Sequence, residues 1–415
     1  MSFRSLKLSL ITIIVTAIFV SSTCCAANTI VKTTTAAEGS VLTGIDVLKR
    51  DGFKQLEGQK VGLITNQTGN SRLGVSNIQL LHNAANVNLL AIFSPEHGLF
   101  GKLDVPLIED SKDTTTGIRV FSLYGSTRRP TADMLNGIDT LVFDIQDIGT
   151  RFYTYISTMG EAMQAAAENH VRFVVLDRPN PINGITVSGP VLDEGRESFV
   201  GFHRLPVRHG MTIGELALMF KAELSLDLEL EIIPLEGWHR TDYFDRTGLQ
   251  WINPSPNMRN LDEAILYPGI GLLETTNLSV GRGTETPFEL FGAPWLEGEL
   301  LSRELNGLNL PGVSFSPLQF TPGSSKFEGQ LCSGVSIAIT DRKQYDSIRT
   351  GLEIALNLRR LYPQIWEIDA YDRLLGNKTV LDAIKSGLPY SDITGIYRDE
   401  LAEFIQRRSQ ILIYE

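Results

Sequence analysis

Between residues 43 and 177 the chain alternates short, continuously apolar runs with segments of helical period. The runs at 60–65, 88–93, 119–122, 140–145 and 172–177 predict strands, and the segments at 43–51, 76–83, 131–135 and 156–169 predict helices. Strands without polar alternation are buried on both faces, so this order predicts a parallel sheet covered on both sides. The layout is Rossmann-like. The first predicted strand, however, runs into GLITNQTG, whose two glycines lie seven residues apart, and the GxGxxG of a dinucleotide site is missing.

Past about residue 190 the texture changes. Long loops rich in Pro, Gly and Asn appear, such as NPSPNMRN and YPGIGLLETTNLSVGRGTETPFELFGAPW, around a predicted strand at 335–340 and a predicted helix at 345–361. The expected fold is therefore α/β: a Rossmann-like parallel-sheet domain over 43–199, followed by a smaller α+β barrel-like domain over 200–415. At the N-terminus, Arg4 and Lys7 precede an apolar stretch at 8–20 and small residues at 21–27, the pattern of an export signal and too short for a comfortable membrane span. Residues 28–42 read as a spacer. Ser21-Ser22-Thr23 before Cys24 departs from a lipoprotein signal, so cleavage near Ala27 and a periplasmic or secreted chain are expected.

Composition narrows the function classes. With 415 residues, 42% hydrophobic and 20% charged, the chain can build two cores. Its formal net charge of −11 falls by two to −13 once Arg4 and Lys7 are removed, which argues against general binding to nucleic acid or anionic membrane. Removal of the signal leaves Cys332 alone, so stability is expected from packing rather than an internal disulfide.

In an open α/β sheet, ligands bind beyond the carboxyl ends of the strands. Polar residues collect at the ends of these predicted strands: Asn66 and Gln67; Glu96 and His97; Tyr124; Asp144, Gln146, Asp147, Arg151, Tyr153 and Tyr155; Asp177, Arg178, Asn180 and Asn183. Glu96 stands out because Pro95 and Gly98 constrain the backbone around it, as an aimed side chain requires. Enclosure by Phe93, Leu99 and Phe100 would suit a general acid; the plainer reading is a first-turn residue favoured by a helix dipole. Asp144, Asp147 and Asp177 offer oxygen ligands for Mg²⁺, but Arg151 and Arg178 lie beside them as ion-pair partners, and the six histidines show no HExxH. No metal or cofactor is assigned. There is no GxSxG, and Cys332 in GQLCSGVSIAI reads as core.

A second polar concentration lies in PVRHGMTIGELA, NPSPNM and ETTNLSVGRGTETPFE. Thr212 and Glu215 have the spacing of a capping box, whereas Glu274, Asn277, Arg282, Glu285 and Glu289 have no such structural explanation. Two loop-borne carboxylate sets, one per domain, point to a cleft between the domains.

The motifs GLITNQTG, FSPEHGLFG, FDIQDIGTRFYTYISTM, VLDRPNPING, LPVRHGMTIGELA, PSPNM, YPGIGLLETTNLSVGRGT and PFELFGAPW together resemble the NamZ-type exo-β-N-acetylmuramidase family of peptidoglycan hydrolases, in order over 43–415. The resemblance implies the two-part fold, an interdomain active site, and release of N-acetylmuramic acid from the non-reducing ends of peptidoglycan fragments such as MurNAc-GlcNAc. The proposed catalytic acid of the family's SPEHG motif falls on Glu96. The EGTN motif appears as Glu274-Thr275-Thr276-Asn277, with threonine where the family has a glycine, a departure that bears on backbone conformation. Glu274 is the first expectation for the second catalytic group, and Asp144 or Asp147 the next. Asn66, Gln146, Arg151, Tyr153 and Asn257 are expected to bind sugar hydroxyls and the acetamido group, with His97, Asp147 and Asn277 beside them. Arg151 or Arg282 is expected to pair with the lactyl carboxylate. Attack by the substrate's own acetamido oxygen stays open, as do two alternatives: a muropeptide or sugar receptor without turnover, and a metal-dependent phosphatase or amidase on the aspartates.

Overall fold

The computed structural model describes residues 41–415, so the expected export signal (1–27) and residues 28–40 of the expected spacer lie outside the described residues. The strands are β1 (Lys60–Thr65), β2 (Asn88–Ser94), β3 (Ser111–Lys112), β4 (Arg119–Ser122), β5 (Thr140–Asp144), β6 (Arg172–Leu176), β7 (Ser188–Val191), β8 (Pro206–Arg208), β9 (Leu230–Ile233), β10 (Leu290–Ala293), β11 (Val313–Phe320) and β12 (Cys332–Ile339). Seven of them form one sheet in the order β3-β4-β2-β1-β5-β6-β9, parallel throughout except for β3 at the edge. The central strands are the uninterrupted apolar runs, and β5 is buried along its whole length. Helices cover both faces. Ile45, Leu63, Val142, Val174 and Leu176 pack on one side, and Phe143, Val175, Ile156 and Met159 on the other.

The sheet continues past residue 199. Helix Ile213–Glu223 packs on it, and β9 pairs with β6 at the far edge. An edge strand is half-solvated, and three of the four β9 residues are only partly buried, so this segment lacks the unbroken apolar run that marks the inner strands.

The part expected to be barrel-like holds a three-stranded antiparallel sheet, β10-β12-β11, on which helix Gly298–Gly307 packs; helix Ser347–Leu361 packs against that helix and against Leu261–Ile270, and helix Tyr390–Ser409 packs on β7. Cys332 opens β12 and is fully buried. A single apolar cluster runs from Phe143 and Tyr155 of the first part to Leu266, Leu352 and Phe404 of the second. A shared core of this kind ties the two halves together and holds the walls of anything built between them.

Candidate active site

The first wall begins where β2 leaves the sheet. Phe93 and Pro95 are buried, and His97 (φ 69°) and Gly98 (φ 72°) then occupy the left-handed region in succession, so the chain reverses immediately after Glu96. A non-glycine residue there needs support from its surroundings. His97 has it: Nδ1 donates to the Leu103 carbonyl at 2.8 Å, and the Leu103 amide donates back to the His97 carbonyl at 3.2 Å. That hydrogen bond leaves Nε2 for the cavity.

Glu96 is held by hydroxyl donors rather than by the expected apolar box. Phe100 is 61% exposed, and Leu99 packs against Ile92 and Val120 instead. Thr154, the N-cap of helix Tyr155–Glu168, donates its Oγ1 hydrogen to Glu96 Oε2 at 2.5 Å. Tyr124 also hydrogen-bonds Glu96; burial, then this carboxylate, push its phenol up to about 12.

Several strand-end residues that the sequence placed at the binding rim are used inside the fold. Asp144, expected as an alternative second catalytic group, is fully buried, accepting from Arg178 Nε at 2.6 Å and from Asn77 Nδ2 at 2.8 Å. Asn66 accepts from the amide and hydroxyl of Thr68, and Gln146 donates to the Asp147 and Pro179 carbonyls at 2.8 Å. Asp147 accepts from the Gly149 amide at 2.7 Å, and burial pushes its carboxyl up to about 7. His209 lies 3.9 Å away and is driven down to about 3 by burial and by Arg408 and Arg208. Between those values the contact joins two neutral groups. Arg151 is buried too, and donates to four carbonyls: Pro190 (3.0 Å), Leu205 (2.9 Å), Leu374 (2.8 Å) and Leu375 (2.6 Å). The physical reason is common to all five: the second half of the chain roofs these strand ends, and a polar group removed from water takes a protein partner.

The second wall comes from the C-terminal half. Glu274 sits in the 3-10 turn Gly271–Thr275 and receives Arg282 Nη1. Arg282 Nη2 reaches Asp104 at 2.5 Å, and Asn257 Nδ2 reaches the same carboxylate at 3.3 Å. Burial works to raise Asp104's pKa, but the Arg282 guanidinium outweighs it and the net shift is downward. Asn277 points elsewhere, donating to the Ile365 carbonyl at 2.8 Å and accepting from the Glu367 amide at 2.9 Å. Thr275 takes a negative φ, so the family's glycine is not required for backbone conformation here, and its hydroxyl donates to the Ala370 carbonyl at 2.6 Å.

These walls enclose a cavity of about 730 Å³, within the range of small-ligand sites. Of the residues expected at the site, Glu96, His97, Tyr153, Asn257, Glu274 and Arg282 line it; Asn66, Asp144, Gln146, Asp147, Arg151 and Asn277 do not. The aromatic side is built by Tyr153 packed edge-on against both Tyr155 and Tyr267. Thr154, Asp104, Tyr267, Arg196, Asp372 and Arg373 also line the cavity, without having been singled out as site residues in the sequence. Thr154 sits inside the polar TRFYTY run, where the signal was present; Asp104 and Arg373 carry no local signal at all. Chemically, the arrangement presents two glutamates from different halves of the chain to one cavity, with polar and aromatic groups suited to a sugar.

Two family models match consecutive segments: exo-β-N-acetylmuramidase NamZ, N-terminal, over residues 61–262, and exo-β-N-acetylmuramidase NamZ, C-terminal, over residues 265–414. The chain belongs to the NamZ family. Glu96 through Met258 of the cavity lining fall in the NamZ N-terminal segment and Tyr267 through Leu374 in the NamZ C-terminal one, so the cavity lies where the two meet. The chain is 44% identical over 387 residues to the peptidoglycan β-N-acetylmuramidase NamZ of Bacillus subtilis (strain 168), covering 92% of this chain and 94% of that protein. Two solved DUF1343 family proteins from Bacteroides fragilis NCTC 9343 share the fold. One has a TM-score of 0.85 and 39% identity over 91% of this chain and 100% of its own; the other has 0.75 and 30% over 90% and 99%.

Proposed function

We propose that this chain is an exo-acting glycoside hydrolase that releases N-acetylmuramic acid from the non-reducing ends of peptidoglycan fragments, with Glu96 as the general acid. The observation that carries the reading is the placement of Glu96: a strained turn aims it into a cavity lined by both halves of a NamZ-family chain, and Thr154 and Tyr124 hold its carboxyl. Glycoside hydrolysis uses one carboxylic acid to protonate the leaving oxygen and a second group to attack, activate water or stabilise the oxocarbenium-like transition state. Glu274 is the second group in this scheme, because it lines the same cavity while Asp144 and Asp147 are enclosed in the fold. Tyr153 and Asn257 are the binding groups for the sugar ring and its acetamido arm. The N-terminal pattern at 1–27 supports action outside the cytoplasm on fragments such as MurNAc-GlcNAc.

The test is hydrolysis of a chromogenic β-N-acetylmuramide by the mature protein and by Glu96→Gln, with the matching β-N-acetylglucosaminide as control. Selective turnover of the muramide that falls by about 10²–10⁴-fold in the variant supports the assignment. Binding of the muramide without turnover by the wild type would make the chain a receptor and overturn it.

A further inference from the structure

The cavity is acidic. Glu96, Asp104, Glu274, Asp369 and Asp372 contribute five carboxyl groups to its lining against the three guanidinium groups of Arg196, Arg282 and Arg373. An anionic sugar therefore needs a local cation whose charge is not already used. Arg282 is used twice, by Glu274 and by Asp104. Arg196 grips Asp372 with both terminal nitrogens, at 2.9 and 2.7 Å, and also faces Asp193 at 3.9 Å. Arg151, expected from the sequence to meet the carboxylate, does not line the cavity and spends four donors on backbone carbonyls. Arg373 lines the cavity, is exposed, and has no hydrogen bond or ion pair with any other described residue.

Its backbone, in contrast, is firmly tied. Arg373 lies in the short helix Asp372–Leu375, whose Leu374 and Leu375 carbonyls are the ones Arg151 holds. Gly376 ends that helix at φ 62° and its carbonyl accepts from the Asp193 amide at 2.9 Å, while the Asn377 side chain donates to the Val191 carbonyl at 3.1 Å. Upstream, Thr275 holds the Ala370 carbonyl, which couples this segment to the turn bearing Glu274. Arg151 is three residues from Thr154, the donor to Glu96. An unpaired guanidinium is thus carried on a backbone referenced to both glutamates.

We infer that Arg373 is the specificity-determining residue of this cavity, binding the lactyl carboxylate that distinguishes N-acetylmuramic acid from N-acetylglucosamine. The inference rests on the muramidase reading proposed above. A guanidinium presents parallel N–H donors that match the two oxygens of a carboxylate, and at the mouth of an acidic cavity it both attracts the correct sugar and offsets repulsion by the surrounding carboxylates. A neutral sugar gains nothing from it.

The experiment measures kcat/KM of the wild type, Arg373→Gln and Arg373→Lys on a chromogenic β-N-acetylmuramide and on its lactyl amide, where the carboxylate is replaced by a neutral group of the same shape. Arg373→Gln should lose about 10- to 100-fold on the acid, the range of one charge-assisted hydrogen-bond pair, and stay within about threefold of the wild type on the amide. Arg373→Lys should fall between. Equal losses on acid and amide, or an unchanged ratio between them, overturn the inference. Calorimetric binding of free N-acetylmuramic acid and N-acetylglucosamine to the same proteins separates this inference from the hydrolytic reading. An Arg373-dependent preference for the acid in a protein without turnover would uphold Arg373 and refute hydrolysis, whereas turnover with a preference indifferent to Arg373 would do the reverse.

Discussion

Replacing Asp147 with asparagine should stabilise the protein at neutral and alkaline pH. The side chain is 7% exposed and accepts from the Gly149 amide at 2.7 Å, and burial outweighs the backbone donors of Gly149 and Ile148. Burial lifts its pKa from 3.8 to about 7, so the folded protein binds a proton that the unfolded chain has released. A carboxyl raised in this way contributes its full stability below the unfolded value and loses it as pH rises to the folded one. At 1.36 kcal/mol per unit, the wild type forfeits about 2 kcal/mol by pH 5 and about 4 kcal/mol by pH 8 relative to a neutral side chain. Asparagine retains an oxygen for Gly149 and cannot ionise. Urea unfolding of both proteins at pH 3.5, 5 and 8 should therefore give curves that nearly coincide at the lowest pH and separate progressively above it, with the variant the more stable. A variant less stable at pH 8, or a difference that ignores pH, would mean that folding does not raise the Asp147 carboxyl. Turnover should survive the substitution, since this carboxyl does not reach the cavity surface; a loss beyond a thousandfold would return Asp147 to the catalytic groups.

Other expectations concern the frame around the glutamates. Thr154→Val removes the hydroxyl donor to Glu96 and should lower kcat by about 10- to 100-fold with little change in KM, because this hydrogen bond strengthens as the acid gives up its proton in the transition state; steady-state kinetics would show it. Arg151→Met leaves four buried carbonyls without their donor, so a destabilisation of about 4 kcal/mol is expected at about 1 kcal/mol each, read as a fall in the urea midpoint. Thr275→Gly restores the family's glycine but loses the Ala370 hydrogen bond and adds backbone freedom, costing about 1–2 kcal/mol by the same measurement; a gain in stability would show that threonine is strained at this site.

Local chemistry was legible wherever the determinant was itself local. Strands at 60–65 and 119–122 occur at the predicted residues, and Thr212 and Glu215 form the reciprocal capping box their spacing announced. Burial on both faces leaves an apolar run that any window can see, and a cap is satisfied within three residues. β9 escaped because it is an edge strand, half in water, whose place in the sheet depends on a partner more than fifty residues away, β6. Glu96 was found because Pro95 and Gly98 flank it, and the turn beyond it does adopt the left-handed conformation such a fixture needs.

The site was legible in composition but not in assignment. Polar residues do gather at the strand ends, yet Asp144, Gln146, Asp147, Arg151 and Asn66 face inward, and no period or motif separates a carboxylate aimed at a ligand from one aimed at Arg178. That choice depends on which strand ends the second half of the chain covers. Arg373 is the converse case, an arginine in an unremarkable YDRLL segment that matters because folding occupies Arg196, Arg282 and Arg151. By itself the sequence determined the inner strands of the parallel sheet, the Thr212–Glu215 cap and the turn beyond Glu96, which follow from neighbours along the chain, and the family, which follows from motifs in order along it. Only the tertiary structure decided which polar groups are buried against partners and which stay free for a ligand, because a charge is spent on whatever the fold brings within about 3 Å of it.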